Sequence, residues 1–246
     1  MRAAGWFINY KPNDDYLLPP SIYTPAAYDD VYELQYKCPE EGDLFDIIRA
    51  RKSSRLNHLN KPWTLEELSV LLEEGLGLRG ESRLVMKENK KEKIEFRMYP
   101  SGGSLYPIHV FLYINKLQSV QPGFYYYAVT EKKLYRIHKE IKDSDYEKLF
   151  PMSKYKLDQD NCDVLQSAFS LFFIADYYYA FNKYGKLSNK LCLLECGHMA
   201  QNLLLISTLL KKNSLPICGY FRDKVEHYLG LANDPYKFCH YSIIFG

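Results

Sequence analysis

The stretch Tyr99-Pro100-Ser101-Gly102-Gly103-Ser104-Leu105-Tyr106-Pro107 decides how the rest of this sequence is read. Two adjacent glycines between serines, with a proline on either side, suit neither helix nor strand, because glycine is conformationally permissive and proline removes a backbone donor. Such a stretch bares its backbone N–H groups. A tight turn before a strand would do this, and so would the close approach of a planar or anionic ligand. On the residues alone the two readings stand level.

Outward from that stretch the pattern is regular. Upstream, "DLFDIIRARKSSR" carries Leu44, Ile47 and Ile48 at helical spacing behind Asp43, and "TLEELSVLLEEGLG" opens with Thr64 and Glu67 in capping-box register. These predict two helices. The segment "VMKENKKEKIEF" is charged and aperiodic and predicts a solvated loop. Downstream, "IHVFLYIN" predicts a strand, "GFYYYAVTEKKLYRI" a hairpin turning across Thr130 to Lys132, and "SAFSLFFIADYYY" another buried strand. Apolar residues at 191, 194, 199, 203, 206 and 210 predict a long, mostly buried helix. A short helix, "DKVEHYLG", and a last strand, "HYSIIFG", complete the pattern. The first forty or so residues hold several prolines, many tyrosines and no period, so residues 1–42 read as an extended arm and 43–246 as one α+β domain.

Composition narrows the function classes. With 246 residues, 47% hydrophobic and 25% charged, the chain can bury a sizeable single core. Its 32 basic and 30 acidic residues give +2, too near balance for a non-specific nucleic-acid or membrane handle. The longest apolar runs, "LLLISTLL" and "AFSLFFIA", fall well short of the ~18–20 residues of a membrane span and read as core. One Arg followed by acidic residues at the N-terminus does not resemble a secretory signal, and six scattered cysteines suit free thiols, so the expected compartment is the cytoplasm.

Two motifs are decoys. "GLGLRG", with Gly75, Gly77 and Gly80, matches G-x-G-x-x-G, but it ends a helix instead of opening one, so Gly75 or Gly77 reads as a helix C-cap. Cys192, Cys196 and His198 lie within two helical turns, but no second Cys or His cluster completes a zinc site; they read as packed helix residues, and no metal is expected.

Other candidates carry chemistry. In "RARKSSR", Arg49, Arg51, Lys52 and Arg55 surround Ser53 and Ser54 and could supply charge-assisted donors to a phosphate, although basic residues also suit a helix end for dipole reasons alone. Lys183 and Tyr184 set an amine beside a phenol just after a buried strand, and Gln201 and Asn202 are amides on an otherwise apolar helix.

Taken in order, R-x-S-x-R (Arg51, Ser53, Arg55), P-S-G-G-x-L-Y-P (Pro100 to Pro107), K-Y-G (Lys183, Tyr184, Gly185) and E-x-G-H-x-x-Q-N-L (Glu195, Gly197, His198, Gln201, Asn202, Leu203) resemble the SagB-type dehydrogenases, the azoline-oxidising branch of the flavin-dependent nitroreductase superfamily. The resemblance covers about the last 200 residues. It implies a nitroreductase-like α+β fold with a central, mainly antiparallel sheet flanked by helices, and an intertwined homodimer binding FMN between its subunits. It assigns Arg51, Lys52, Ser53 and Arg55 to the phosphate and ribityl chain. Pro100, Ser101, Gly102 and Gly103 would lie along the flavin ring, with Gln201 and Gly219 completing the cofactor set.

The implied reaction oxidises a peptide thiazoline or oxazoline to the azole. Lys183 and Tyr184 would supply the base that removes a weakly acidic ring proton, typically worth about 10² to 10⁴ in rate. A cyclodehydratase is the implied partner. The same fold also supports an NAD(P)H-dependent reductase of nitro, quinone or enone compounds, and a non-catalytic scaffold subunit is the third reading. Many relatives continue K-Y-G-x-R-G-Y-R. This chain reads "KYGKLSNK", with Leu187, Ser188 and Asn189 replacing Arg, Gly and Tyr.

Overall fold

The computed structural model describes residues 31–35, 44–55, 58–87, 90–151 and 164–246. Most of the arm expected over residues 1–42 therefore lies outside the described residues. The part that is described includes a short strand, β1 (Val31–Glu33), which pairs with the edge of the main sheet.

The apolar runs read as strands assemble one seven-stranded sheet. Its members are β1, β4 (Ile108–Ile114), β5 (Gly123–Ala128), β6 (Lys133–Lys139), β7 (Phe169–Asp176), β8 (Ser214–Ile217) and β9 (Lys237–Phe245). The spatial order is β1-β6-β5-β4-β7-β9-β8, and every ladder is antiparallel. β4, β5 and β7 are buried along their whole length because both faces are covered. Alternation divides their side chains. Ile108, Val110, Leu112, Tyr125 and Tyr127 face a layer made by α2 (Leu65–Leu76) and α5 (Leu187–Leu209). Phe111, Tyr113, Phe124 and Phe172 face Tyr146 of α3 (Asp143–Glu147) and Val225 of α6 (Arg222–Tyr228). The tyrosines of "FYYYAV" are thus core, as strand aromatics should be.

α2 begins as its sequence dictates. Thr64 Oγ1 accepts from the Glu67 amide at 3.1 Å, and Glu67 answers to the Thr64 amide at 2.9 Å. Gly77 caps its C-terminus, in agreement with the glycine run, but the next element is a strand. The expected lysine-rich loop is a two-stranded ribbon, β2 (Leu78–Lys87) and β3 (Lys90–Arg97), paired antiparallel apart from the main sheet. Its charges, among them Lys93 paired with Glu95, mask the period-2 alternation that identifies a half-buried strand.

The reading of "YYY" as strand also fails. Asp176 accepts a bond from the Tyr178 amide at 3.0 Å and caps a new helix, α4 (Tyr177–Tyr184). On α5, Cys192 and Cys196 are buried as expected. His198 is exposed instead of packed, and Leu193 and Leu194 remain about half exposed.

Candidate functional site

β3 delivers the chain to the glycine stretch, and β4 carries it away. Ser101 is extended; then comes one 3-10 turn, Gly102–Ser104, in which Gly103 has φ +62°. Ser104 and Tyr106 also sit at positive φ, 56° and 51°, where a side chain costs energy and the surroundings must hold the backbone. Several bonds do so. The Ser104 amide donates to the Ser101 carbonyl at 3.1 Å, the Tyr106 amide donates to Ser101 Oγ at 2.9 Å, and the Arg97 amide donates to Tyr106 Oη at 3.0 Å. Tyr99 and Tyr106 meet edge-to-face.

The two glycines are bare for different neighbours. A Cβ on Gly102 would press on Leu191 of α5 at 3.2 Å. One on Gly103 would collide with the Tyr184 hydroxyl and stand 2.5 Å from Lys183 Nζ. Both side chains arrive there because α4 stops at Gly185, φ +52°, whose amide bonds the Phe181 carbonyl at 2.7 Å, and α5 starts two residues later. Lys183 Nζ lies 3.5 Å from the Gly103 carbonyl oxygen and 5.2 Å from the Tyr184 ring centroid. Lys183 and Tyr184 are half-buried. A cleft of about 290 Å³ opens beside the turn, lined by Pro100, Ser101, Ser104, Tyr106, Arg79 and Phe96.

The residues that depart from K-Y-G-x-R-G-Y-R build the helix corner. Ser188 is buried and donates to the Gly185 carbonyl at 2.7 Å, while Asn189 Oδ1 accepts from the Tyr177 hydroxyl at 2.7 Å. They fix the α4–α5 junction that aims Lys183 and Tyr184.

Behind the turn lies a carboxyl that the sequence offers only as one letter of a motif. Glu195 of α5 is 2% exposed, and its Oε2 accepts from Ser101 Oγ at 2.5 Å. Burial pushes this carboxyl up to about 7; the Ser101 hydrogen bond, the Arg97 guanidinium and the Ile108 amide pull the other way. Arg97 donates to Tyr99 Oη at 2.9 Å and stacks over Tyr106 at 4.8 Å. Burial and nearby Arg97 keep His109 neutral, and burial pushes Cys192 up to about 12, so its thiol stays protonated. The signal for Glu195 was available: it is an acid among apolar positions on a buried helix face.

The remaining sequence-derived residues lie elsewhere. The Ser54 amide bonds the Ser214 carbonyl at 2.8 Å, tying half-buried Arg51 and exposed Lys52, Ser53 and Arg55 to the start of β8. Ser214 aligns with Phe245, Phe245 with Phe169, and Phe169 with Ile114, the far end of β4. The glycine turn precedes Ile108, six residues away along that strand, about 20 Å at 3.3 Å per residue. Within one chain the basic segment and the glycine turn are therefore anchored at opposite ends of the sheet. Gly219 comes two residues after β8, and Gln201 is exposed on α5. Asn202 is structural: its Nδ2 donates to the Gly75 and Met98 carbonyls at 3.0 and 3.1 Å. Among the described residues, no helix is long and apolar enough to cross a membrane.

The fold is that of a known class: residues 48–246 match the nitroreductase family, and the chain belongs to it. A Methanocaldococcus jannaschii protein named as a nitroreductase is 24% identical over 206 residues, 84% of this chain and 93% of its own. A chain of the E. coli microcin synthetase McbBCD complex, solved with truncated pro-MccB17 bound, superposes with a TM-score of 0.65 at 22% identity, covering 93% of this chain and 77% of that one. A nitroreductase-named protein from Exiguobacterium sibiricum, solved with FMN, gives a TM-score of 0.53 at 14% identity over 85% of this chain and 90% of its own. Against an Anabaena variabilis structure (TM-score 0.62, 22% identity) the match covers 83% of this chain but spans only 38% of the other's length.

Proposed function

We propose that this chain is an FMN-dependent dehydrogenase that oxidises azoline rings in peptides to azoles and works as a homodimer. The observation carrying this reading is the convergence of Lys183 Nζ and the Tyr184 hydroxyl on Gly103, in a turn bordered by an open cleft. A proton acceptor and a hydroxyl standing over a bare backbone is what deprotonation of a flat ring calls for.

The residues present fit the flavin if two copies share it. Arg51, Lys52, Ser53 and Arg55 offer donors suited to a phosphate, but a single chain keeps them about 20 Å along the sheet from the Pro100–Gly103 turn. A second copy supplies the missing half. Leu44, Phe45 and Ile48 of α1 (Leu44–Ala50), Phe181 of α4, and Leu193 and Leu194 of α5 are exposed, a surface that a subunit interface would bury. Bound FMN would take up two electrons from the substrate.

The protein's part is position and proton transfer. Lys183 Nζ, beside the Gly103 carbonyl and the Tyr184 ring, is placed to accept the ring proton, and the Tyr184 hydroxyl to orient or relay it. The E. coli neighbour is a microcin synthetase complex solved with truncated pro-MccB17 bound, which supports a peptide substrate and a cyclodehydratase partner.

A visible spectrum of the purified chain, followed by anaerobic mixing with a thiazoline peptide, tests the proposal. The expected result is a yellow protein bleached by the azoline. A chain that gains no chromophore from added FMN sinks the reading. Rapid bleaching by NAD(P)H without azoline turnover would assign it to the reductases.

A further inference from the structure

We infer that Glu195 is the positioning residue of the Tyr99–Pro107 turn: through the Ser101 hydroxyl, its buried carboxyl holds the backbone in the shape that seats Gly103 beneath Lys183 and Tyr184. The consequence for cofactor binding rests on the function proposed above; the consequence for the turn does not.

A carboxyl buried to 2% exposure on the packed face of a helix is expensive and persists only where specific bonds repay it. Glu195 has a short bond to Ser101 and the nearby Ile108 amide and Arg97 guanidinium to offset that cost, while its Oε1 has no well-formed hydrogen bond. Ser101 Oγ is used twice, donating to Glu195 and accepting the Tyr106 amide. A hydroxyl has one proton. With that proton drawn toward Glu195, a lone pair is presented to Tyr106 N–H, and a five-residue loop closes over two non-glycine residues at positive φ.

Leu191, one helical turn before Glu195, packs against Gly102, so one face of α5 holds both the floor and the tie of the turn. The Ser101 side chain is therefore committed inward, and what the turn offers a ligand is backbone. The groups facing the carboxyl are Arg97 from β3, Tyr99 and Ser101 from the turn, the Ile108 amide from β4, and the protonated thiols of Cys192 and Cys196 on α5 itself. Burial lifts the carboxyl to about 7 against an ordinary value near 4.5. Because the folded value is the raised one, this group's stabilisation is full below about pH 4.5 and is lost as pH rises through 7.

Hydrogen exchange of the Tyr106 amide in the flavin-free protein reads the tie directly. Glu195→Ala and Ser101→Ala should each speed that exchange by about tenfold, the worth of one buried hydrogen bond, and the double variant should be no faster than either single one. Glu195→Gln keeps an acceptor and should restore slow exchange, and should also flatten the fall in Tm that the wild type shows between pH 5 and 8. FMN affinity should drop about tenfold in the two alanine variants and recover in the glutamine one.

Wild-type exchange in Glu195→Ala, or additive effects in the double variant, overturns the inference. If Glu195→Ala does not fold, Ser101→Ala with fast exchange and Glu195→Gln with slow exchange carry the test; slow exchange in Ser101→Ala overturns it. Altered exchange in a protein that never binds FMN upholds the tie and refutes the proposed function.

Discussion

The Lys183–Tyr184 corner and the Arg51–Arg55 segment are both marked by sequence motifs, yet the fold treats them differently. Lys183 and Tyr184 lie 80 residues or more from Gly103 in sequence, and the α4–α5 junction nevertheless sets both over it. The basic segment follows α1, a helix with no buried residue, and is tied to the opposite end of the sheet. On the proposed function, one chain would complete the proton-transfer half of a site and leave the anion-binding half facing outward. Such an arrangement suits a site built at an interface, where neither subunit is competent alone.

The sharpest way to break this comparison is to damage each half separately. Lys183→Ala combined with Tyr184→Phe should lower azoline turnover by about 10² to 10⁴ and leave the flavin spectrum intact. Loss of the flavin as well would move this corner into the cofactor grip. Arg51→Ala or Arg55→Ala should instead weaken FMN by about 10- to 100-fold, the loss of a charge-assisted bond, with Tm of the flavin-free protein unchanged. Mixing the two damaged proteins sharpens the point, since a mixed dimer regains one whole site and about a quarter of wild-type turnover should return. No recovery in a freely exchanging mixture would place both halves in the same chain.

Gly103→Ala has a smaller effect. The new methyl must displace the Tyr184 hydroxyl or Lys183 at a backbone angle that disfavours side chains. A loss of about 2 kcal/mol, or 4–8 °C in Tm, is expected. Unchanged Tm and turnover would mean that the corner does not rest on this glycine.

Much of this was legible in the sequence for physical reasons. Core strands such as "IHVFLYIN" announce themselves by apolarity, and the Thr64–Glu67 box fixes where α2 begins. The β2–β3 ribbon was not legible, because a two-stranded sheet outside the core carries charges where buried strands carry apolar side chains. Strand-like "YYY" became helix because one aspartate caps it. In the site, "PSGG" announced a bare turn, but its neighbours come from α4 and α5, so composition could not say that Gly103 is bare for Lys183 and Tyr184. Nor could it say that Ser101 points inward to Glu195.

The adjacent amides Gln201 and Asn202 give the comparison its finest test. They are neighbours in one motif, but a helix turns by about 100° per residue, so they face different surroundings. Asn202 bonds the Gly75 and Met98 carbonyls, joining the end of α2 to the segment that enters the glycine turn. Asn202→Ala leaves two carbonyls unpaired and should cost about 1–2 kcal/mol, some 2–8 °C in Tm, before any effect on activity. Gln201 is exposed in the isolated chain, so Gln201→Ala should leave Tm where it was. If Gln201 meets the flavin across the interface, the same change should weaken FMN by about three- to tenfold. A Tm that falls equally in both variants would mean that Gln201, too, serves the fold.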